Sequence, residues 1–402
     1  MPDASPYDCA LVGGGIVGLA TARALLEQRP ELRLAILEKE DRVATHQTGR
    51  NSGVIHAGLY YRPGTRKARL CRQGKADLEA FCTAHGIPWT RSGKLVLAVS
   101  ADEVPRLDAL EARAAQNGVE TVRCDADTLR EHEPHARGVA ALWVPETGVV
   151  DYSRVAAALA AELRSRGVEI RTGSQVCGGR ETERGVEIHT ARGTLRARAL
   201  VNCAGLWADR VTRLFGAEPG VRLIPFRGEY AELIPEAREL VRGLIYPVPD
   251  PAFPFLGVHL TRTVDGRVEA GPSAALAFAR EGYTLGTVRP SELAESLSDA
   301  GFRRLARRHW RMGATELARS LSPRRFWAAA RRLVPALPRE ALVRGAAGVR
   351  AQAVTRDGDL ADDFVLVETA RAVHVVNAPS PAATASLAIG REIAERALER
   401  LA

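Results

Sequence analysis

The first forty residues alternate short apolar runs with a segment of helical periodicity. Residues 7–12 form an apolar run of strand length, residues 19–28 have apolar positions at helical spacing, and residues 34–37 form a second apolar run. The first run leads directly into Gly13-Gly-Gly-Ile-Val-Gly18, a GxGxxG sequence. Strand, glycine turn, helix and strand in this order are typical of a Rossmann-like unit that binds a dinucleotide.

Each glycine of this turn has a distinct expected role. Gly13 permits the tight turn, Gly15 lets the backbone approach a pyrophosphate, and Gly18 lets the helix lie close to the sheet. The pyrophosphate would meet the free N–H groups at the helix N-terminus. Glu38, directly after the second strand, is placed to accept hydrogen bonds from a ribose diol. Its charge disfavours the 2′-phosphate of NADP.

The remaining pattern predicts further helices and a second sheet. A glycine-rich polar stretch at 46–60 is too long for an ordinary connection, which indicates a functional loop. Short alternating segments after residue 219 indicate an antiparallel sheet. The predicted helices are 67–85, 103–117, 152–166 and 383–401, and the predicted strands are 93–99, 168–171, 185–190, 194–199, 226–233, 257–262, 268–271 and 372–377.

Length and composition indicate a globular chain of two or three domains. The chain has 402 residues, of which 46% are hydrophobic and 26% charged, as in ordinary globular proteins. The longest apolar stretch, 9–22, is shorter than the ~20 residues of a membrane span, and no secretory signal is recognisable. The six cysteines form no CxxC pair, so we expect reduced thiols, no metal or iron–sulfur site and a cytoplasmic location.

The net charge of +8 is concentrated late in the chain. Residues 301–344 contain twelve arginines against Glu316 and Glu340, interleaved with Phe, Trp and Leu at helical spacing. No nucleic-acid-reading module accompanies this basic helical segment, so we expect no nucleic-acid partner. Two interpretations stay open: a helical surface lying on an anionic bilayer, at the cytoplasmic face of the inner membrane, or a solvated face packed on the rest of the protein.

Five longer motifs carry a resemblance to a known family. They occupy residues 46–61, 225–230, 254–262, 347–352 and 377–384. With them the chain resembles the FAD-dependent oxidoreductases of the D-amino-acid-oxidase type, and within these the branch that oxidises L-2-hydroxyglutarate to 2-oxoglutarate. The resemblance implies hydride transfer from C2 to flavin N5, with the electrons passed on to a quinone or another acceptor.

The resemblance also implies the architecture and the cofactor contacts. The fold class is α/β (α+β overall): a discontinuous Rossmann-like FAD-binding domain of residues 1–80, 145–215 and 345–402, and an inserted substrate domain with a mixed or antiparallel sheet, residues 81–144 and 216–344. The final helix, opening after Pro381, would direct N–H groups at the flavin pyrimidine edge. Besides the four residues above, the implied contacts to non-covalent FAD are Ile16, Val17, Lys39, His46, Gln47, Ser52, Gly53, Val176, Ala204, Gly205, Gly348, Pro381, Ala382 and Ala383.

A hydroxy diacid needs cationic partners for two carboxylates, which arginine forks provide. Arg227, Arg262 and Arg350 each lie in one of the motifs, with Tyr230 and His259 as further donors. We expect a ligand role for at least one of Arg227 and Arg350.

His56 is the first candidate for the base that removes the hydroxyl proton, and His259 is the rival. Two other functions stay open at this point. One is oxidation of an amine or amino acid on the same fold, and the other is a flavin-binding redox module without turnover.

Overall fold

The computed structural model describes residues 6–250 and 256–401, so Pro254 and Phe255 of the 254–262 motif lie outside the described residues. The strands are β1 Tyr7–Val12, β2 Leu34–Leu37, β3 Val54–Ile55, β4 Trp89–Thr90, β5 Lys94–Ala98, β6 Val122–Cys124, β7 Ala140–Val144, β8 Gly148–Val150, β9 Glu169–Arg171, β10 Val176–Thr182, β11 Gly185–Thr190, β12 Gly193–Asn202, β13 Val221–Leu233, β14 Leu244–Pro247, β15 His259–Arg262, β16 Val268–Gly271, β17 Ala275–Leu276, β18 Leu342–Thr355, β19 Val365–Glu368 and β20 Ala372–Asn377. The helices are α1 Ile16–Gln28, α2 Arg66–Ala84, α3 Val104–Gln116, α4 Thr128–His132, α5 Tyr152–Ser165, α6 Ala208–Leu214, α7 Pro290–Ser298, α8 Ala300–Leu321, α9 Pro323–Arg331 and α10 Ser386–Glu399.

The first sheet has a parallel centre covered by helices. Its strand order is β10-β11-β12-β1-β2-β9, and β20 adds to β12 in parallel. Leu25 of α1, Leu159 of α5 and Ile389 of α10 pack in one core with the buried side chains of β1 and β2. Parallel strands need such a cover because both faces of the sheet are apolar. This sheet confirms the predicted Rossmann-like unit.

The second sheet is mixed and carries the substrate-side residues. Its order is β17-β13-β16-β15-β14-β5-β7-β6, with β18 on the outer edge of β13. All pairings are antiparallel except β5 with β14. One face packs on α9 through Leu95, Ile245 and Phe326. The opposite face, which we call the loop-side face, packs Val96 and Tyr246 against apolar residues of the 46–60 loop.

The loop-side face is therefore covered by a segment that begins in the nucleotide-binding half. Three short strands fix this cover: β3 of the loop pairs with β8, and β8 pairs with β4. The predicted fold class, an α/β nucleotide unit combined with a mixed sheet, is confirmed.

One predicted domain boundary, at residue 345, falls inside the ladder of β18. This strand pairs with β13 continuously from Leu342 to Thr355, apart from one bulge. A boundary at residue 345 would cut a single hydrogen-bonded strand. The division into an FAD-binding and a substrate domain stays a prediction, and we propose that its last boundary follows Thr355.

Two predicted helices are shorter than expected. The basic segment is helical only to Arg331, because Pro335 and Pro338 interrupt it and Leu342 begins β18. The final helix begins at Ser386 and not at Ala383. Within 6–250 and 256–401, none of the helices combines the length and the apolarity that a bilayer span requires.

Candidate active site

The glycine turn has the backbone geometry that its sequence predicts. Gly13 has φ +109°, and a Cβ there would lie 2.4 Å from the carbonyl oxygen of Cys203. A Cβ on Gly18 would lie 2.2 Å from the carbonyl oxygen of Gly13. Any side chain at either position would collide with backbone, so both glycines are required by space and not only by flexibility.

The N-terminus of α1 and Glu38 together fit the ADP half of FAD. Gly15 caps α1, and a Cβ there would meet only the Thr48 hydroxyl at 3.4 Å, which leaves room beside the helix N-terminus for a pyrophosphate. Glu38 is buried, and its carboxylate accepts hydrogen bonds from the N–H groups of Gly14 (2.8 Å) and Glu40 (2.9 Å). These bonds orient the carboxylate at the end of β2, where a ribose diol is expected.

Residues predicted to contact FAD from other parts of the chain lie close to this turn. A Cβ on Gly205 (φ +55°) would lie 2.9 Å from Gln47 Oε1. A Cβ on Gly348 would lie 2.3 Å from the carbonyl oxygen of Arg50, so β18 touches the 46–60 loop backbone to backbone. Separate chain segments therefore converge here. The individual contacts to FAD, including those of Ile16, Val17, Ser52, Gly53, Val176 and Ala204, stay predictions.

A turn of residues 379–385, here called the C-terminal turn, occupies the place of the predicted helix N-terminus. Ala382 and Ala385 donate their N–H groups to the carbonyls of Pro379 and Pro381. Among the described backbone groups, the N–H groups of Ala383 and Thr384 have no such acceptor in this turn. The expectation of a helix opening after Pro381 is therefore wrong, but free N–H groups do occur at the predicted position.

Lys39 and His46 belong to an ion cluster at the rim of this region. The Lys39 ammonium lies 2.7 Å from a Glu281 carboxylate oxygen and also contacts Glu40. His46 contacts Glu40 at 2.9 Å and the Tyr283 hydroxyl at 2.5 Å. The three acceptors Glu40, His46 and Glu281 have metal-binding spacing, but Lys39 already supplies a cation among them.

The predicted substrate residues on the loop-side face form one cluster. The rings of His259 and Tyr246 stack with centroids 3.9 Å apart. Arg350 lies opposite Phe226 in the ladder, so by strand alternation it shares a face with Tyr230. Burial raises the pKa of the Tyr230 hydroxyl. The charge of Arg350 and the contacts with Ser52 and Arg350 lower it by a smaller amount.

His56 approaches this cluster from the loop. The backbone N–H of His56 donates to Thr384 Oγ (3.1 Å), and its backbone carbonyl accepts from Cys71 Sγ (3.3 Å). Thr384 in turn contacts the Tyr152 hydroxyl at 2.9 Å. These bonds tie His56 to the C-terminal turn, so the predicted base and the predicted cofactor region are held together.

Both histidines are neutral near pH 7. Burial, followed by the charge of Lys94 and by His259, lowers the pKa of His56 to about 3. Burial also lowers the pKa of His259 to about 3, with Arg350 and Lys94 adding to the effect. Because a carbonyl only accepts, His259 Nδ1–H must donate to Gly257 O at 2.9 Å. Its Nε2 therefore carries a lone pair, as a base requires.

Arg227 and Arg262 are not brought to this cluster. Arg227 pairs with Val349 in the ladder, on the face opposite to Arg350. Its guanidinium contacts Glu229 at 3.4 Å and the carbonyl of Thr284 at 3.0 Å. Arg262 donates to the backbone carbonyls of Val241 and Arg238. Both arginines therefore have protein partners away from the cluster, and their expected role as substrate ligands stays a prediction.

Sequence reasoning missed a buried lysine in the cluster. Lys94 begins β5 and is 1% exposed. Its ammonium lies 4.4 Å from the ring centroid of Tyr60 and 5.3 Å from that of Tyr246. The only available signal in the sequence was a lysine at the start of an otherwise apolar strand. A lysine at such a position is equally well explained as a solvent-exposed strand end.

A nucleotide-binding half that reaches across one face of a mixed sheet is the architecture of a flavoprotein oxidoreductase. Known proteins agree with this class. The profile described as "FAD dependent oxidoreductase" matches residues 8–396, and the chain belongs to this family.

Full-length relatives and a solved structure are similar to the chain. The L-2-hydroxyglutarate dehydrogenase of Indibacter alkaliphilus is 48% identical over 396 residues, covering 98% of this chain and 99% of that protein. The protein of the same name from Escherichia coli strain K12 is 46% identical, covering 98% and 94%. The FAD-bound L-alpha-glycerophosphate oxidase of Mycoplasma pneumoniae has a TM-score of 0.79 at 21% identity, covering 99% and 95%, which shows the shared fold. The predicted FAD cofactor is confirmed.

Proposed function

We propose that this chain oxidises L-2-hydroxyglutarate to 2-oxoglutarate with FAD as cofactor. The observation that carries the proposal is the cluster on the loop-side face, in which His56 of the 46–60 loop meets His259 and Arg350, while the same loop also reaches the nucleotide turn. Relatives that match nearly the whole chain bear the name of this activity.

The oxidation removes a proton from the C2 hydroxyl and a hydride from C2. FAD, when bound, is the group that accepts the hydride. The protein has to hold the C2 hydroxyl within hydrogen-bond reach of a neutral base. His56 and His259 are both candidates because both are neutral and face the same cluster, and mutagenesis distinguishes them.

Arg350 and Tyr230 orient the carboxylate next to the reacting carbon. Arg350 lies two residues from Gly348, where β18 touches the 46–60 loop, and both Arg350 and Ser52 of that loop act on the pKa of Tyr230. A guanidinium fork matches both oxygens of a carboxylate and so restricts its rotation. The C2 hydroxyl would then face the histidines.

Anaerobic reduction of the flavin by a panel of substrates tests this function. L-2-Hydroxyglutarate should bleach the flavin absorbance, whereas D-2-hydroxyglutarate loses the geometry and L-lactate loses the distal carboxylate. Preferential bleaching by L-glutamate would favour the amine-oxidising alternative. A flavoprotein that none of a broad panel of hydroxy acids and amino acids reduces would contradict an enzymatic role.

We further propose that the electrons pass to a quinone at an anionic membrane surface. Helix α8 presents an outward stripe of mixed character: Trp310 is 63% exposed and Leu321 59%. Arg303 and Arg307 are exposed one turn apart before the kink at His309, and Trp310 and Leu321 follow that kink. Exposed arginines beside an exposed tryptophan on an amphipathic helical segment are suited to a bilayer interface.

Flotation with anionic liposomes tests the membrane proposal. Binding should occur at low salt, weaken at high salt and decrease when Arg303 and Arg307 are replaced by glutamine. The matched control replaces Arg304 and Arg308, which removes the same charge but affects side chains that bond the carbonyls of Arg356 and Asp357. Protein that stays off anionic liposomes at low salt would contradict membrane delivery.

A further inference from the structure

Lys94 differs from the other three lysines of the chain. Lys39 is paired with Glu281 at 2.7 Å, Lys67 with Asp362 at 3.2 Å and Lys75 with Glu79 at 3.2 Å. Within the described residues, no carboxylate forms an ion pair with Lys94, although it is one of the most buried side chains of the protein.

The surroundings of Lys94 supply ring faces in place of a counter-ion. Its ammonium lies against Tyr60 and Tyr246, and the buried hydroxyl of Tyr60 has no hydrogen-bond partner among the described residues. Burial lowers the pKa of Lys94 to about 7. A cation and a hydroxyl donor that share one site without an acceptor are expensive to bury unless a ligand provides one.

The cations of the cluster match the charges of the proposed substrate. L-2-Hydroxyglutarate carries two carboxylates, and Arg227 and Arg262 are held by partners elsewhere. Arg350 and Lys94 are the basic side chains that act on the pKa of His259. Two carboxylates therefore meet two cations on the loop-side face.

We propose that Lys94, with the Tyr60 hydroxyl, binds the substrate carboxylate remote from C2. This inference rests on the function proposed above. Arg350 lies where β18 meets the loop of the nucleotide-binding half, so the carboxylate beside the reacting carbon belongs to Arg350. The remote carboxylate is left for Lys94, which makes Lys94 a determinant of specificity for diacids over monoacids.

The pairing also predicts a proton balance. With a pKa of about 7, Lys94 is largely neutral at pH 8 in the free site. A bound carboxylate favours the ammonium form, so diacid binding at pH 8 should take up a proton.

The test compares L-2-hydroxyglutarate with L-2-hydroxyvalerate, which has a methyl group in place of the remote carboxylate. The wild-type flavin should be reduced about 100-fold faster by the diacid at equal low concentration, as for a lost charged contact. Lys94→Met should abolish most of this preference by slowing the diacid alone. Lys75→Met, which removes another buried lysine outside the cluster, should keep the preference.

Binding measurements give a readout that does not depend on turnover. The dissociation constant of 2-oxoglutarate, followed by perturbation of the flavin spectrum, should rise about 100-fold in Lys94→Met, whereas that of 2-oxovalerate should change little. In wild-type holoenzyme at pH 8, calorimetry in buffers of different ionisation enthalpy should show proton uptake with 2-oxoglutarate and not with 2-oxovalerate.

The outcomes separate the two proposals. If wild-type protein is reduced by L-2-hydroxyglutarate but Lys94→Met keeps the diacid preference, or slows both substrates equally, the role of Lys94 is wrong and the function stands. Equal affinity of wild-type holoenzyme for 2-oxoglutarate and 2-oxovalerate also overturns it, even if the variant fails to fold. If L-2-hydroxyglutarate does not reduce wild-type flavin, both proposals fail.

Discussion

The nucleotide side and the substrate side of this protein are built on different principles. The nucleotide side is made of backbone: Gly13 and Gly18 are required because a Cβ would strike a carbonyl oxygen. The substrate side is made of side-chain functional groups from separate segments, such as Lys94 on β5, His259 on β15 and Arg350 on β18. Substitutions on the first side should therefore fail through added volume, and those on the second through lost chemistry.

The largest effect is expected at the glycine turn. Gly13→Ala combines a positive φ with a Cβ placed 2.4 Å from a backbone oxygen, so we expect FAD to be lost from purified protein. Gly193→Ala is the matched control, because Gly193 has φ +120° but open space around the Cβ position. It should cost about 1 kcal/mol of stability and keep FAD. The flavin absorbance per chain after gel filtration measures both, and a flavin-replete Gly13→Ala protein would contradict the backbone account.

Removal of the base should spare FAD and reduce turnover. Positioned bases contribute typically 10²- to 10⁴-fold, so either His56→Ala or His259→Ala should slow flavin reduction by roughly that factor with normal flavin content. The variant with the larger loss identifies the base. If both variants reduce their flavin at the wild-type rate, neither histidine is the base.

Arg350 and Arg227 sharpen the comparison because they lie on opposite faces of one ladder. Arg350→Met should slow reduction by L-2-hydroxyglutarate about 100-fold and raise the dissociation constant of 2-oxoglutarate, with little change in stability. Arg227→Met should leave that constant unchanged and lower the free energy of unfolding by about 1 to 3 kcal/mol, because Glu229 loses a buried partner. Ligand titration and urea unfolding measure the two effects, and the reverse assignment would contradict the observed faces.

The last expected effect is on stability at acidic pH. His56 and His259 have a pKa of about 3 in the folded protein and one near 6.5 when unfolded. The unfolded chain therefore binds more protons between these values, and stability falls as the pH drops below 6.5. Each histidine contributes at most about 1.4 kcal/mol per pH unit. His259→Asn should flatten the slope between pH 7 and 5 in saturating FAD, whereas an Asn replacement of the exposed His189 on β11 should leave it unchanged.

The sequence predicted the nucleotide side well because backbone requirements are recorded locally, as glycines at fixed positions. Three glycines at fixed spacing and an acid after the second strand specify a turn without any knowledge of distant contacts. The substrate side could not be predicted to the same depth. Whether Arg227 or Arg350 faces the loop depends on the β13–β18 register, which no local pattern records.

Lys94 is a second residue whose role the sequence alone could not predict. A lysine that begins an apolar strand is ordinarily solvated, and only the assembled sheet places Tyr60 and Tyr246 over its ammonium. Similarly, the sequence predicted a helix directly after Pro381. It did not show that the carbonyls of Pro379 and Pro381 accept N–H groups of a turn that precedes the helix. The position of Lys94 depends on the tertiary structure, whereas the turn is local but is not recorded in the periodicity of the sequence.

The central claim is that the loop-side cluster oxidises one hydroxy diacid at FAD. The most direct measurement mixes holoenzyme anaerobically with excess L-2-hydroxyglutarate in a single turnover and quantifies the product. The account predicts one equivalent of 2-oxoglutarate per flavin reduced in wild-type protein, and much slower formation in the variant that lacks the base. Flavin that stays oxidised, or flavin that is reduced without stoichiometric 2-oxoglutarate, would contradict it.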